Sequence, residues 1–170
     1  MAENIKDLME MHPRNGMVEW IGVRSAKKIP LSSQESAQIS KEEGVSGDHY
    51  HGSNKKRQVT MIQAEHLEAV AKFLDNQNID PKLTRRNIVI SGINLLSLVD
   101  KQIQIGEEVI LFITGHCHPC SRMEENLGPG GYNAMRGHGG ITATVVKGGQ
   151  IQVGDPVAVV ATVDVVTGPN

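Results

Sequence analysis

Between residues 103 and 166 the chain offers five β-patterned stretches, and little besides glycine joins several of them. They are Ile103 to Glu107, Val109 to Ile113, Ile141 to Val146, Gln150 to Val153 and the β-branched run Val157 to Val166. Gly106 separates the first two, and Gly148-Gly149 forms a hairpin turn, because glycine supplies the positive φ such turns need. Gly154-Asp155-Pro156 turns the chain again. Upstream, Met17 to Arg24, Gln58 to Ile62 and Ile88 to Ile90 carry the same signature. One segment alone has clear helical spacing: Leu67, Val70, Ala71 and Leu74 within Ala64 to Asp75. Glu3 to Met11 and Ser121 to Leu127 are short helical candidates, and Gly128-Pro129-Gly130-Gly131 must end the second. Asn94 to Leu98 reads as an apolar turn, and Ala26 to Ser40, polar with Pro30 and several serines, as a loop.

Closely spaced strands with glycine turns predict a mainly β domain with minor α content, a mostly antiparallel barrel or a sandwich. No regular strand–helix alternation supports a doubly wound sheet, and no phosphate-binding glycine loop or internal repeat is visible. A length of 170 residues without a boundary signal predicts one domain, 1–170, able to bury a core without disulfides.

Composition narrows the function. Apolar residues at 39% and charged residues at 21% exclude a membrane protein or a disordered chain. No apolar run approaches the roughly 18 residues of a membrane span. Met1 to Lys6 shows no signal-peptide pattern, so the expected compartment is the cytoplasm. A net charge of −2 and five scattered aromatics give no reason to expect nucleic acid.

The chemistry concentrates in Thr114-Gly115-His116-Cys117-His118-Pro119-Cys120-Ser121-Arg122, which follows a strand and holds both cysteines. Cys-x-Pro-Cys permits dithiol redox chemistry, although that motif belongs to a βαβ setting this sequence lacks. Zinc is a second option, with Cys117, Cys120, His116, His118, His49, His51 and His138 as candidate ligands, yet only half a zinc signature is present. The third is a single functional thiolate in a cationic setting supplied by His118, Arg122 and Arg136 to His138. Two buried spectator thiols are the plain alternative. Elsewhere, Arg85-Arg86-Asn87 at a strand entrance suits a phosphate or planar polar ring, or else a surface ion pair. Lys55-Lys56-Arg57 reads as a solvated loop unless other cations converge on it, and His66 as an ordinary helix residue.

Taken in order, Gly44 to His49, Val59 to Leu67, Arg85 to Gly92, Cys117 to Cys120, Gly137 to Ile141 and Gly148 to Asp155 resemble the MOSC domain. This is the C-terminal domain of molybdenum cofactor sulfurases, also found in amidoxime-reducing components and as stand-alone bacterial proteins. The likeness spans about 17–163. It implies a closed, pyruvate-kinase-like β-barrel that binds the molybdenum cofactor (molybdopterin). It further implies one cysteine, best matched by Cys120, that carries sulfur as a persulfide or ligates molybdenum. Arg85 and Asn87 match the family's cofactor contacts, with Arg86, Cys117, Arg122 and Gly139 as accessory positions. The resemblance admits a sulfur carrier or an oxidoreductase reducing N-hydroxylated compounds with electrons from a separate reductase. The pyridoxal-phosphate desulfurase domain of full sulfurases is absent from this sequence, so sulfur is expected from a separate cysteine desulfurase.

Overall fold

The computed structural model describes residues 4–50 and 54–162. Its strands are β1 (Gly16–Val23), β2 (Ser32–Gln34), β3 (Ser36–Ser40), β4 (Gly44–Val45), β5 (Val59–Gln63), β6 (Ile88–Ser91), β7 (Gln102–Ile105), β8 (Val109–His116), β9 (Ile141–Lys147), β10 (Gly149–Gln152) and β11 (Pro156–Val160). Helices α1 (Ile5–Met9), α2 (Ala64–Phe73), α3 (Ser121–Leu127) and α4 (Gly131–Met135) complete it, with short 3-10 turns at Lys55–Arg57, Pro81–Leu83 and Leu95–Leu98.

Seven strands close into a mixed barrel in the order β11-β7-β8-β9-β5-β6-β1, and β1 returns to β11 through Gly16 opposite Val157. The expectation of a barrel or sandwich thus resolves to a closed barrel, which leaves no edge along that ring. All its pairs are antiparallel except β5–β6, whose connection runs through α2. That parallel pair needs a crossover, which explains why the one strongly helical segment lies between these strands.

Alternation places Val18, Ile21, Met61, Ile88, Ile90, Ile103, Ile105, Leu111, Ile113 and Ile141 inside, all fully buried. Burial of each such side chain is worth about 1.5–3 kcal/mol. On the outer side, α2 seats Leu67, Val70 and Ala71 over Ile62 and Val89, with Met123, Ala134 and Met135 closing the patch.

Two expectations change. Ala26 to Ser40, read as a loop, contains β2 and β3, and β3 lies between β10 and β4 in a small second sheet. Its Ala37 and Ile39 join Val45 and Ile151 in the barrel core, so alternation of only two apolar residues was enough. The final strand ends at Val160 rather than Val166, and residues 163–170 lie outside the described part. Among the described residues, no helix is long and apolar enough to cross a membrane.

Candidate functional site

One end of the barrel collects the residues of interest because five chain segments meet there. Arg24 follows β1, Arg57 precedes β5, Arg85 to Asn87 lead into β6, Cys117 follows β8 and Gly139 precedes β9. Register fixes the meeting: His116 lies opposite Ile141, Ile141 opposite Met61, and Met61 opposite Ile88. A bulge between Ile113 and Gly115 re-aims the end of β8, and Cys117 N–H continues onto the Gly140 carbonyl at 2.8 Å.

The two cysteines are free and unequal: Cys117 is buried and Cys120 exposed. Each has its own guanidinium. Arg85 Nη1 donates to Cys120 Sγ at 3.2 Å, and Arg57 Nη2 to Cys117 Sγ at 3.6 Å. Arg85 stands in the left-handed region with φ 61°, which costs a non-glycine residue about 1–2 kcal/mol. Its Nε is buried and has no partner among the described residues.

That turn separates the neighbouring arginines. Arg86 is 5% exposed and donates through Nε to the Gly139 carbonyl at 2.7 Å and through Nη1 to Thr84 O at 3.0 Å. Its Nη2 reaches Cys117 O and His118 O, both at 3.4 Å. Burial pushes its pKa below the ordinary guanidinium value, and the Cys117 thiol pulls it back up. Arg86 thus joins the cysteine loop to the glycine loop. Asn87 is also committed: Nδ2 donates to Gly22 O at 3.2 Å, and Oδ1 accepts from Thr60 Oγ1 at 3.1 Å. Gly139 serves by close backbone approach, since a Cβ there would lie 2.1 Å from Cys117 O.

Two adjoining cavities share Arg24, Leu31 and Arg85. The thiol lobe, about 250 Å³, is lined by Cys120, His118, Arg57, Tyr50, Thr60 and Asp48, with Arg86 and Asn87 in its wall. The basic lobe, about 220 Å³, holds Arg24, Lys27, Lys28, Lys82, Arg85 and Arg122, with His49 and no carboxylate among its lining residues. Burial lowers the Arg24 pKa, Arg85 lowers it further, and Asp48 and Cys120 oppose the shift while Arg122 adds to it. Asp48 itself accepts from the backbone N–H of Arg24 at 2.8 Å. The structure therefore brings Arg85, Arg122 and Cys120 to one cleft, sets Cys117 beneath it, and leaves Gly139 outside its lining.

Sequence reasoning missed Arg24, Lys27, Lys28 and Lys82, and undervalued Arg57. The signal was faint: Arg24 ends a strand, and Lys27-Lys28 is a basic pair in what read as a loop. As for zinc, no group of three or more His, Cys, Asp or Glu comes together to hold a metal among the described residues. His51 lies outside the described residues, and His138 instead packs its ring edge-on to His66 at 5.0 Å.

A closed mixed barrel with a thiol at one rim and a basic cleft beside it defines the class, and sequence comparison gives the family. The MOSC domain matches residues 47–158, so this chain belongs to the MOSC domain family. No curated protein matches it in sequence. Among solved structures, YuaD of Bacillus subtilis superposes with a TM-score of 0.75 at 19% identity, covering 86% of this chain and 97% of that one. YiiM of Geobacillus stearothermophilus gives 0.70 at 15% identity over 86% and 75% of the two chains. YiiM of Escherichia coli gives 0.68 at 17% identity over 89% and 72%. At these identities the structural likeness speaks for the fold.

Proposed function

We propose that this chain binds the molybdenum cofactor across the two lobes and acts through the sulfur of Cys120, which carries sulfane sulfur to that cofactor. The observation that carries the reading is the exposed Cys120 Sγ held by Arg85 Nη1 at 3.2 Å where a thiol lobe meets a lobe lined by six cations. The residues present fit the group. A pterin with a terminal phosphate needs an anion site, and arginine forks bind phosphate well. The buried, unpartnered Nε of Arg85 is a donor waiting for an oxygen acceptor, since an unmet buried donor costs about 1–3 kcal/mol.

Arg24, Arg85 and Arg122, with Lys82 at the side, would hold the phosphate end, and Thr60, Tyr50 and His118 would border the ring system. When bound, the cofactor supplies two-electron redox chemistry at molybdenum. The chain's own part is to orient the ligand by its phosphate, to present Sγ at a fixed place, and to keep that sulfur beside a cation. Arg86 fixes the glycine loop through Gly139 O and only lightly touches the thiol segment, and Asn87 fixes the strand entrance.

The test is molybdenum and pterin analysis of protein purified from a cofactor-competent host, with sulfur transfer from a cysteine desulfurase followed on the same material. Stoichiometric pterin lost in Arg85→Ala, and sulfur loading lost in Cys120→Ser, support the proposal. Bound cofactor with reduction of an N-hydroxylated base, and no transferable sulfur, would instead make this chain an oxidoreductase with Cys120 as molybdenum ligand. Stoichiometric chelatable zinc without pterin refutes both.

A further inference from the structure

We infer that Cys117 is a resolving thiol that discharges the sulfur carried by Cys120 as sulfide, closing a Cys117–Cys120 disulfide. The inference rests on the reading of Cys120 as a sulfur carrier and assigns the second cysteine a chemical role.

Three observations carry it. The thiols are three residues apart, and residues 117–120 lie in neither helix nor strand, so no regular hydrogen-bond ladder within the segment opposes its closure. Their burial is divided: Cys120 is exposed where a donor protein can reach it, whereas Cys117 is 1% exposed and shielded from external reagents. Finally, Cys117 is no ordinary buried thiol among hydrocarbon. Arg57, which lines the thiol lobe, places Nη2 3.6 Å from its sulfur. That contact fixes the sulfur at the wall of the lobe in which Cys120 lies, within the same short segment. Nothing in the cofactor-binding role uses this second sulfur–guanidinium pair.

In the step, the Cys117 thiolate attacks the inner sulfur of the Cys120 persulfide. The Sγ–Sγ bond forms and the bond to the outer sulfur breaks, its electron pair leaving on HS⁻. The proton lost by Cys117 ends on the sulfide. The outer sulfur is reduced to sulfide while the two cysteine sulfurs are oxidised to a disulfide, so no external oxidant is consumed. A dithiol reductant then regenerates both thiols. Arg85 beside Cys120 keeps the carrier sulfur in place during the exchange.

The experiment loads full-length chain with inorganic polysulfide, removes the excess, and follows it anaerobically without reductant by intact mass and sulfide release. Wild type should release one sulfide per persulfide and gain a peptide spanning Cys117 to Cys120 that is lighter by two hydrogens. Cys117→Ser and Cys117→Ala, checked as folded by circular dichroism, should load equally yet release sulfide at least about tenfold more slowly. Arg57→Gln should slow release several-fold. Release at the wild-type rate from both Cys117 variants, or a stable wild-type persulfide with no disulfide, overturns the inference and leaves the carrier reading standing. Failure of Cys120 to load in any of these proteins overturns both.

Discussion

Two adjacent arginines should respond to substitution in opposite directions, and the difference tests how the site is built. Arg85 has a left-handed backbone that costs about 1–2 kcal/mol. Glycine relieves that cost but adds about 0.5–1 kcal/mol of unfolded-state entropy. Arg85→Gly also takes one positive charge away from Arg24, which is crowded by Arg85 and Arg122. The net expectation is unchanged stability or a gain of up to about 1 kcal/mol, or roughly 2–4 °C in Tm for a domain of this size. Arg86→Met keeps most of the volume and removes every donor. The bonds to Gly139 O at 2.7 Å and Thr84 O at 3.0 Å involve a charged donor and are worth about 1.5–3 kcal/mol each. The two contacts at 3.4 Å are weak by geometry and add little. Freedom from burying a charge offsets part of the loss. A net destabilisation of about 2–4 kcal/mol follows, several degrees or more in Tm. Urea denaturation reports both, because the only tryptophan, Trp20, packs against the α2 patch and serves as the fluorescent probe. Loss of more than about 1 kcal/mol in Arg85→Gly, or full tolerance of Arg86→Met, would refute the division between a binding arginine and a structural one.

Further expectations concern pH and anions. The N–H groups of Tyr132 and Gly130 hold the Glu124 carboxyl below its ordinary pKa, so its contribution is full above about pH 4.3 and fades as pH falls through the lower folded value. Glu124→Gln should therefore flatten the loss of stability on acidification below that point, measured by urea titrations at several pH values. Burial first, and His138 second, push the His66 pKa down; a base lowered on folding stabilises above about pH 6.5 and loses that contribution as pH drops. His138→Gln should move the NMR titration of His66 upward toward its ordinary value. Inorganic phosphate should raise Tm in wild type, less in Arg24→Ala or Arg122→Ala, and less again at high salt. Equal shifts in all three proteins would remove the basic lobe as an anion site.

Much of this architecture was legible in the chain because alternation and glycine turns are local signals. β8 and β9 stand where Val109 to Ile113 and Ile141 to Val146 placed them, extended at their ends by pairing. The strands β2 and β3 escaped because serine and glutamine dominate them and only Ala37 and Ile39 face inward. Helix α4 escaped because glycines flank it, and its stability is tertiary: Ala134 and Met135 pack on the α2 patch, and Glu124 accepts the N–H groups of Gly130 and Tyr132. The thiol, Arg85 and Arg122 were readable from motif and order. Arg24, Lys27, Lys28 and Lys82 were not, since they reach Arg85 only when the barrel closes. Nor can sequence tell Arg85 from Arg86; a single positive φ sends one to the cleft and the other into the wall.

The most direct measurement of the central claim is anomalous scattering at the molybdenum edge from crystals of the cofactor-loaded chain. One peak is expected in the cleft beside Cys120 Sγ, with the phosphate among Arg24, Arg85 and Arg122. A peak at the opposite end of the barrel, or bound pterin that leaves this cleft vacant, would contradict it.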